Sequence, residues 1–396
     1  MKRLLILGAG FLQSFVIKKA NELGYYTIAI DKNPNSIGFQ YANEYEIVDI
    51  VDSEACLEYA RLKAIDGVMT AATDYGVISA AYVAKQLRLS GLNFDTAMFV
   101  KNKYEVRKLF ARNNIDEINQ YYEVMRINDV ESLKNEIEYP VIVKPCDGSG
   151  SKSICRVDNE YELKAACVDA IEASLLSRAI IEDFIVGEEY GVESFVYAGE
   201  IYVLGIMKKK MTLPPDYAEL GHAIPSGLLI EEKIKKIVQK AIGVLGVDFG
   251  AVNMDLLVTS NDNVYIIDVG ARMGGNLIGS HIIKESTDYD YLGNLIRATM
   301  GDKVELPSTE VVKKVATRII ALSPGKIKSL PDIKSIIQEN NVQVFFNKRY
   351  GDYIQEYHNN LNGCGYIIST STELGDAENR VTKSLRMLDE SIIRED

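Results

Sequence analysis

Residues 251–276, AVNMDLLVTSNDNVYIIDVGARMGGN, read as two apolar strands around a polar turn. Ala251–Val258 and Val264–Val269 are rich in Val, Ile and Leu, and Asn261-Asp262-Asn263 between them suits a tight reversal. Folding the stretch back on itself brings Asp255 beside Asp268. Neighbouring carboxylates repel unless a cation lies between them, and hard oxygen ligands suit Mg²⁺. Arg272 follows four residues after Asp268 on a glycine-rich segment that runs through Gly270, Gly274, Gly275 and Asn276. It can therefore face the same cavity. The alternative is two solvated carboxylates at a hairpin end.

A second stretch lies upstream. Val141-Ile142-Val143-Lys144-Pro145 is an apolar strand ending in a cation, and Asp147-Gly148-Ser149-Gly150-Ser151 follows it. A lysine on a strand end is rigidly supported, and small residues beside it let backbone amides fold over an anion. The spacing is not that of a Walker loop. Two readings stand for this segment taken alone: a phosphate lid, or a mobile surface hairpin with a solvated lysine. Combined with an acidic pair and an arginine, the lid reading points to a nucleoside-triphosphate site.

The first hundred residues alternate strand and helix. Leu4–Leu7, Tyr26–Ile30, Tyr45–Val48 and Asp66–Thr70 are strand-like, which predicts a parallel α/β sheet. Gly8-Ala9-Gly10 and Asp31 form half of a dinucleotide fingerprint, but Gln13 stands where its third glycine belongs. Residues 100–135 read as mostly helical and polar. Strand-like runs follow at Ala179–Glu182, Tyr190–Val196, Ile201–Met207, Ala316–Ala321, Val342–Phe346 and Gly365–Ser369, with a helix at the end. Lys208-Lys209-Lys210 reads as a solvated strand end, although one member of the run has the reach to contact the lid.

Composition narrows the function. The 396 residues carry 44 Lys and Arg against 56 Asp and Glu, a formal charge of −12, with 47% apolar residues. That is ample apolar content for a packed core and argues against non-specific binding to nucleic acid or anionic membranes. An acidic chain binds an anion through a local cationic site. The five Cys lie scattered without CxxC spacing, as expected of reduced thiols, and the three His stand far apart. No apolar run approaches the roughly 20 residues of a membrane helix. The basic start MKRLLILGAG meets Gly8-Ala9-Gly10 too early for a signal peptide. A cytoplasmic location is expected.

On these residues the chain resembles the ATP-grasp superfamily of carboxylate–amine ligases over nearly its full length. The resemblance implies an α/β plus α+β architecture: an N-terminal parallel α/β domain over 1–98, a lid-bearing subdomain over 99–186, and a C-terminal antiparallel-sheet domain with the metal site over 187–396. It implies ATP and Mg²⁺ as cofactors, with Mn²⁺ as a substitute. Lys103, after Asn102, looks like the first ATP-contacting lysine and Lys144 like the second. Gly148, Ser149, Gly150 and Ser151 look like the phosphate lid. Glu182, Asp183, Phe184 and Ile185 are similar to the hinge that reads the adenine edge, and Glu189 to the residue that takes the ribose hydroxyls. Asp255 and Asp268 fall on metal ligands that are usually Glu. Gly270 departs from a common Asn, for which water or Asn276 would substitute.

The segment Asp268–Gly275, with Ser286-Thr287 and Tyr289-Asp290 downstream and Glu219-Leu220-Gly221-His222 upstream, looks like the branch of L-amino-acid ligases and carbamoyl-phosphate-synthase-like relatives. By that resemblance Arg272 holds the carboxylate or acyl phosphate, with Lys144 as a catalytic cation. Arg318 is either a second positive contact or a plain surface arginine. Gly274, Gly275, Asn276, His222 and Asp74 complete the substrate set, with His222 as a base, an amine contact or an ordinary loop histidine. The expected partners are a small-molecule carboxylate and an amine, with a homodimer as the expected assembly. The expected chemistry is C–N bond formation through an acyl phosphate. The alternatives are a carbamoyl-phosphate-synthase-like or phosphoribosylamine–glycine-ligase-like enzyme, a weakly catalytic ATP-binding regulator, and an NAD enzyme.

Overall fold

The computed structural model describes all residues except Lys134, Ser149, Ser151, Lys152, Pro215, Ser308 and Asp396. Among the described residues the strands form four sheets. The first holds β1 (Arg3–Leu7), β2 (Tyr26–Asp31), β3 (Glu44–Ile47) and β4 (Gly67–Thr70), parallel, in the order β3-β2-β1-β4. Its central strands are apolar over Leu4–Leu7 and Ile28–Ile30 because both faces are covered by helices.

The Gly8-Ala9-Gly10 turn does not form a dinucleotide cradle. Asp31 accepts hydrogen bonds from the Ala9 and Asn33 amides. Gln13, where a third glycine would leave room, packs its side chain against Gly8 and donates to the Ala71 carbonyl at 2.6 Å. The turn is closed by its own side chains.

An antiparallel sheet follows, of β5 (Tyr121–Val124), β6 (Val141–Pro145), β7 (Cys155–Val157) and β8 (Ala179–Asp183), ordered β5-β8-β6-β7. β5 corrects the helical reading of 100–135. Tyr and Val favour a pleated, half-buried surface, and pairing with β8 from Tyr121↔Glu182 to Val124↔Ala179 decides the matter.

The largest sheet is built on β9 (Glu188–Tyr197), β10 (Glu200–Met211), β11 (Glu219–Ile224), β12 (Gly250–Val258), β13 (Val264–Gly270) and β14 (Lys314–Ile319). The C-terminal region adds β15 (Gly325–Ser329), β16 (Gln343–Phe346), β17 (Tyr353–Ile354), β18 (Gly365–Ser371) and β19 (Ile393–Glu395). The large sheet runs β13-β12-β9-β10-β11-β14-β18-β16, and β17-β15-β19 form a small sheet beside it. One face of β9, β10 and β12 packs on the helix Glu231–Leu245. Its stripe Ile234, Val238, Ala241, Ile242 and Leu245 buries against Val192, Val203, Val252 and Met254. The opposite face is free to carry polar groups.

Candidate active site

Register decides which side chains share that second face. Asp268, Asp255, Gly191 and Met207 are successive cross-strand partners over β13, β12, β9 and β10. Asn253 pairs with Gly270 and with Glu193, and Lys209 pairs with His222. Directly paired residues point to the same side of a sheet. Acids, cations and glycines are thus gathered on one surface by alternation alone.

The cations enter from other elements. Asn102 caps the helix Lys103–Arg112 by accepting from the Tyr104 and Glu105 amides, and so fixes Lys103 at its first turn. The Lys103 ammonium is ion-paired with Asp268. Lys144, at the end of β6, contacts Glu182 at 2.6 Å and the Ile267 carbonyl at 2.8 Å. Arg107 meets the same Glu182 at 2.6 Å, Asp116 at 2.8 Å and the Ile266 carbonyl. Burial works to raise the Glu182 carboxyl, but Lys144 and Arg107 outweigh it and hold it down at about 2. The Glu182 side chain is therefore committed to a buried ion network. The Asp183 and Phe184 amides donate to the Gln120 and Pro140 carbonyls. The Asp183 side chain holds the Asn119 and Gln120 amides, Phe184 lies under the Arg156 guanidinium, and Ile185 is half-buried.

Of the expected phosphate lid, Ser149 and Ser151 lie outside the described residues. Gly148 sits against Pro145, and Gly150 has φ +70°. Asp147 anchors the loop by accepting from Ser174 Oγ at 2.6 Å and the Leu176 amide at 3.2 Å. A narrow cleft is lined by Gly148, Asp268, Gly270, Lys103 and Lys101. Burial lowers the Lys101 pKa. Lys101 was not anticipated, since nothing in its local sequence marks it.

The aspartate pair suits a divalent cation in donor type: two hard carboxylates directly opposite each other. Lys103 neutralises Asp268, and Lys209 neutralises Asp255 at 2.9 Å. Among the described residues no third carboxylate, His or Cys joins them in a metal-binding cluster. Asn276 does not fill the gap at Gly270. Its side chain bridges Glu219 and the Tyr366 hydroxyl, away from Asp268. The place of a side chain at 270 is taken instead. A Cβ there would stand 3.0 Å from the Arg272 guanidinium carbon and 3.1 Å from Asp74 Oδ1.

Arg272 bonds Asp74 Oδ2 at 3.1 Å and Asn253 Oδ1 at 3.4 Å, and its Nε lies 3.0 Å from Asp74 Oδ1 without hydrogen-bond alignment. Below it sits Glu193, a fully buried carboxylate that sequence reasoning missed. It accepts from the Gly274 amide, the Tyr291 hydroxyl at 2.7 Å and Asn253 Nδ2 at 3.1 Å. Burial pushes its pKa up to about 7. A Cβ on Gly274 would lie 2.7 Å from Glu193 Oε2, so glycine is required for this approach. Gly275 packs on Leu12 and Ala72, and the Ala72 amide donates to the Met273 carbonyl, tying the N-terminal domain to the loop.

Lys209 is not a solvated strand end. Alternation along β10 turns it inward, between Asp255, Glu219 at 3.3 Å and Glu189 at 3.6 Å. Burial opposes its charge, but these three carboxylates outweigh burial and raise its pKa. Burial raises the Glu189 carboxyl, against the pull of Lys209. His222 stands on β11 rather than on a loop. It is fully buried, and burial lowers its pKa. Its Nδ1 lies 3.3 Å from Glu219, and neither ring nitrogen has an aligned hydrogen bond among the described residues.

Arg318 is not brought to this face. It alternates on β14 with Val315, Thr317 and Ile319, and shares a side with Ala316 and Ile320, which pack on the C-terminal helix. Its charge is felt by Lys210 and Glu378, on that opposite side.

Residues 137–280 match the family model of the ATP-grasp domain. Across 98% of its length the chain is 21% identical to a formate-dependent phosphoribosylglycinamide formyltransferase of Sulfurisphaera tokodaii, covering 96% of that relative. Among solved structures it is similar to an L-amino acid ligase from Bacillus licheniformis, with a TM-score of 0.85 and 24% identity over 100% of this chain and 99% of that one. It is also similar to a phosphoribosylglycinamide synthetase from Anaerococcus prevotii, with a TM-score of 0.78 and 26% identity over 100% and 99% of the two chains.

Proposed function

We propose a reaction for this chain, which is an ATP-grasp ligase by its domain match and its fold: it joins a carboxylate, that of an amino acid, to an amine through an acyl phosphate. The observation that carries the reading is the pairing of Asp255 with Asp268 on the face that also presents Arg272 and Lys103.

A carboxylate oxygen attacks the γ-phosphorus of ATP, and the bond to the bridging oxygen breaks with ADP as leaving group. Lys103, Lys144 and the amides of Gly148 and Gly150 would spread the charge of the phosphates. A divalent cation held by Asp255 and Asp268 would supply further charge neutralisation on the phosphate oxygens when bound. Arg272 orients the carboxylate, since a planar guanidinium matches carboxylate and acyl phosphate alike. The amine nitrogen then attacks the acyl carbon and phosphate leaves. His222, kept neutral by burial, is the base or amine contact, Glu219 favours a cationic amine end nearby, and Glu189 takes the ribose hydroxyls. Lid closure keeps water from the acyl phosphate.

The test is a screen of amino-acid pairs for phosphate and ADP release, with Asp268→Asn as the control. Release that needs both partners and falls at least about a hundredfold in Asp268→Asn supports the reading. AMP as product, or bound ATP with release from no pair, overturns it. The similarity to phosphoribosylglycinamide enzymes puts ribosylamines in the same screen as amines.

A further inference from the structure

The segment from Gly270 to Met273 is a partition. On one side lies the cleft with Lys101, Lys103, Gly148 and Asp268 on its wall. On the other lies a cleft between β4, the helix Val77–Leu87 and the start of β12, with room inside for only about 70 Å³. Val77 and Ala271 line both, so a single layer of side chains separates them.

The two cavities differ in chemistry. The second is walled by apolar groups, among them Met69, Ala81, Leu92, Phe249, Ala251 and Leu295. Its two threonine hydroxyls are turned away: Thr70 donates to the Leu7 carbonyl and Thr299 to the Leu295 carbonyl. Of its lining residues Arg272 alone is charged. Its make-up of apolar wall with one charged group is that of a site that selects shape and anchors one end.

We infer that this second cavity receives the aliphatic substituent of the carboxylate substrate. The assignment rests on the ligase reading above. Arg272 stands at the boundary, where it holds the carboxylate with the reacting oxygen toward the phosphates and the carbon chain on the apolar side. In the structure Asp74 occupies the guanidinium from the phosphate side, so a substrate carboxylate takes over a contact that a protein carboxylate already makes. The class selected is an α-amino or simple carboxylic acid with a short unbranched or branched aliphatic chain. An acidic side chain is excluded, since the apolar wall would leave its charge unpaired.

The experiment measures ADP release at saturating ATP and a fixed amine across glycine, alanine, 2-aminobutyrate, norvaline and aspartate. It uses the wild type, Ala80→Phe, which fills the cavity from a half-buried helix position, and Leu92→Ala, which enlarges it. Calorimetric ATP affinity and melting temperature are followed in parallel. The expected result is a rise in kcat/KM of roughly fourfold per methylene in the wild type, with aspartate rejected. Ala80→Phe ends the rise at alanine, and Leu92→Ala extends it past norvaline, with ATP affinity unchanged in both. If Ala80→Phe does not fold, Leu92→Ala alone decides. ADP release whose chain-length profile is the same in wild type and variants overturns this assignment and leaves the ligase reading standing. ADP release from none of the acids, with ATP bound, overturns both.

Discussion

At Lys209 one ammonium lies within 3.6 Å of Asp255, Glu219 and Glu189. Removing it leaves three carboxylates close together with no cation of their own. Lys209→Met is therefore expected to destabilise the fold by about 3–5 kcal/mol and to lower ADP formation more than tenfold. Urea melts and steady-state kinetics check this, and a variant with wild-type stability would show that the carboxylates are neutralised elsewhere. Gly270 makes a second residue-level prediction. Gly270→Ala pushes a methyl group onto the Arg272–Asp74 pair, so KM for the carboxylate should rise several-fold while ATP affinity holds. Competition binding with ATP separates the two. Asp268, Lys144 and Arg272 were legible because each stands at the end of a strand or beside glycines, and Asp255 because the hairpin sets it opposite Asp268; Lys103, on a helix, was named only through the family resemblance. Lys209 was legible in principle, since alternation turns one of three consecutive lysines away from its neighbours. Glu193 was not, because its role depends on the loop at Gly274 folding back over it.

The helix Glu231–Leu245 is the element on which the polar face depends, though it touches none of it. By covering the reverse of β9, β10 and β12 it frees the other side for charge. Ile242→Ala removes a fully buried side chain from that contact and should cost about 2–5 kcal/mol. ATP affinity measured well below the melting temperature should stay unchanged. A loss of affinity equal to the loss of stability would tie the site directly to this packing. The apolar period of the helix is plain in the sequence, and Gly246 closes it in the left-handed conformation. The β12–β13 hairpin was equally plain, because apolar runs flank Asn261-Asp262-Asn263. β5 was hidden, since its four residues include a glutamate and only Val124 is fully buried; its partner β8 makes it a strand.

Across the whole molecule, the N-terminal sheet is held to the large sheet at Ala72–Met273, Asp74–Arg272 and Lys19–Asp290. Two buried groups give this assembly opposing pH responses. Glu193 is raised to about 7 from an ordinary 4.5, so it binds a proton in the folded state that the unfolded chain has lost. Its contribution turns unfavourable as pH rises from about 4.5 to 7. His281 is lowered to about 4 by burial, with Lys284 adding to it, so its contribution improves as pH rises from about 4 to 6.5. The wild-type profile is thus flattened over that span. In Glu193→Gln the first response is gone, and the variant should gain on the wild type by roughly 3 kcal/mol between pH 5 and 7.5. A constant difference in melting temperature across that range would contradict the assignment. The parallel sheet of the first hundred residues was legible from the alternation of apolar runs and helices. The seam between domains was not, because its contacts join positions nearly two hundred apart, as Asp74 and Arg272 are.

The placement of acids and cations by strand alternation also limits how this site can change over evolutionary time. A one-residue register slip of β9 would turn Glu189 and Glu193 toward the helix Glu231–Leu245, and one of β12 would turn Asn253 and Asp255, bringing valines and methionine to the substrate. Point replacements shift one contact, whereas a frame slip within a strand inverts the whole surface. Length variation among descendants of this chain should therefore collect at Asn261–Asn263 and in the other turns, and the strands themselves should keep their spacing.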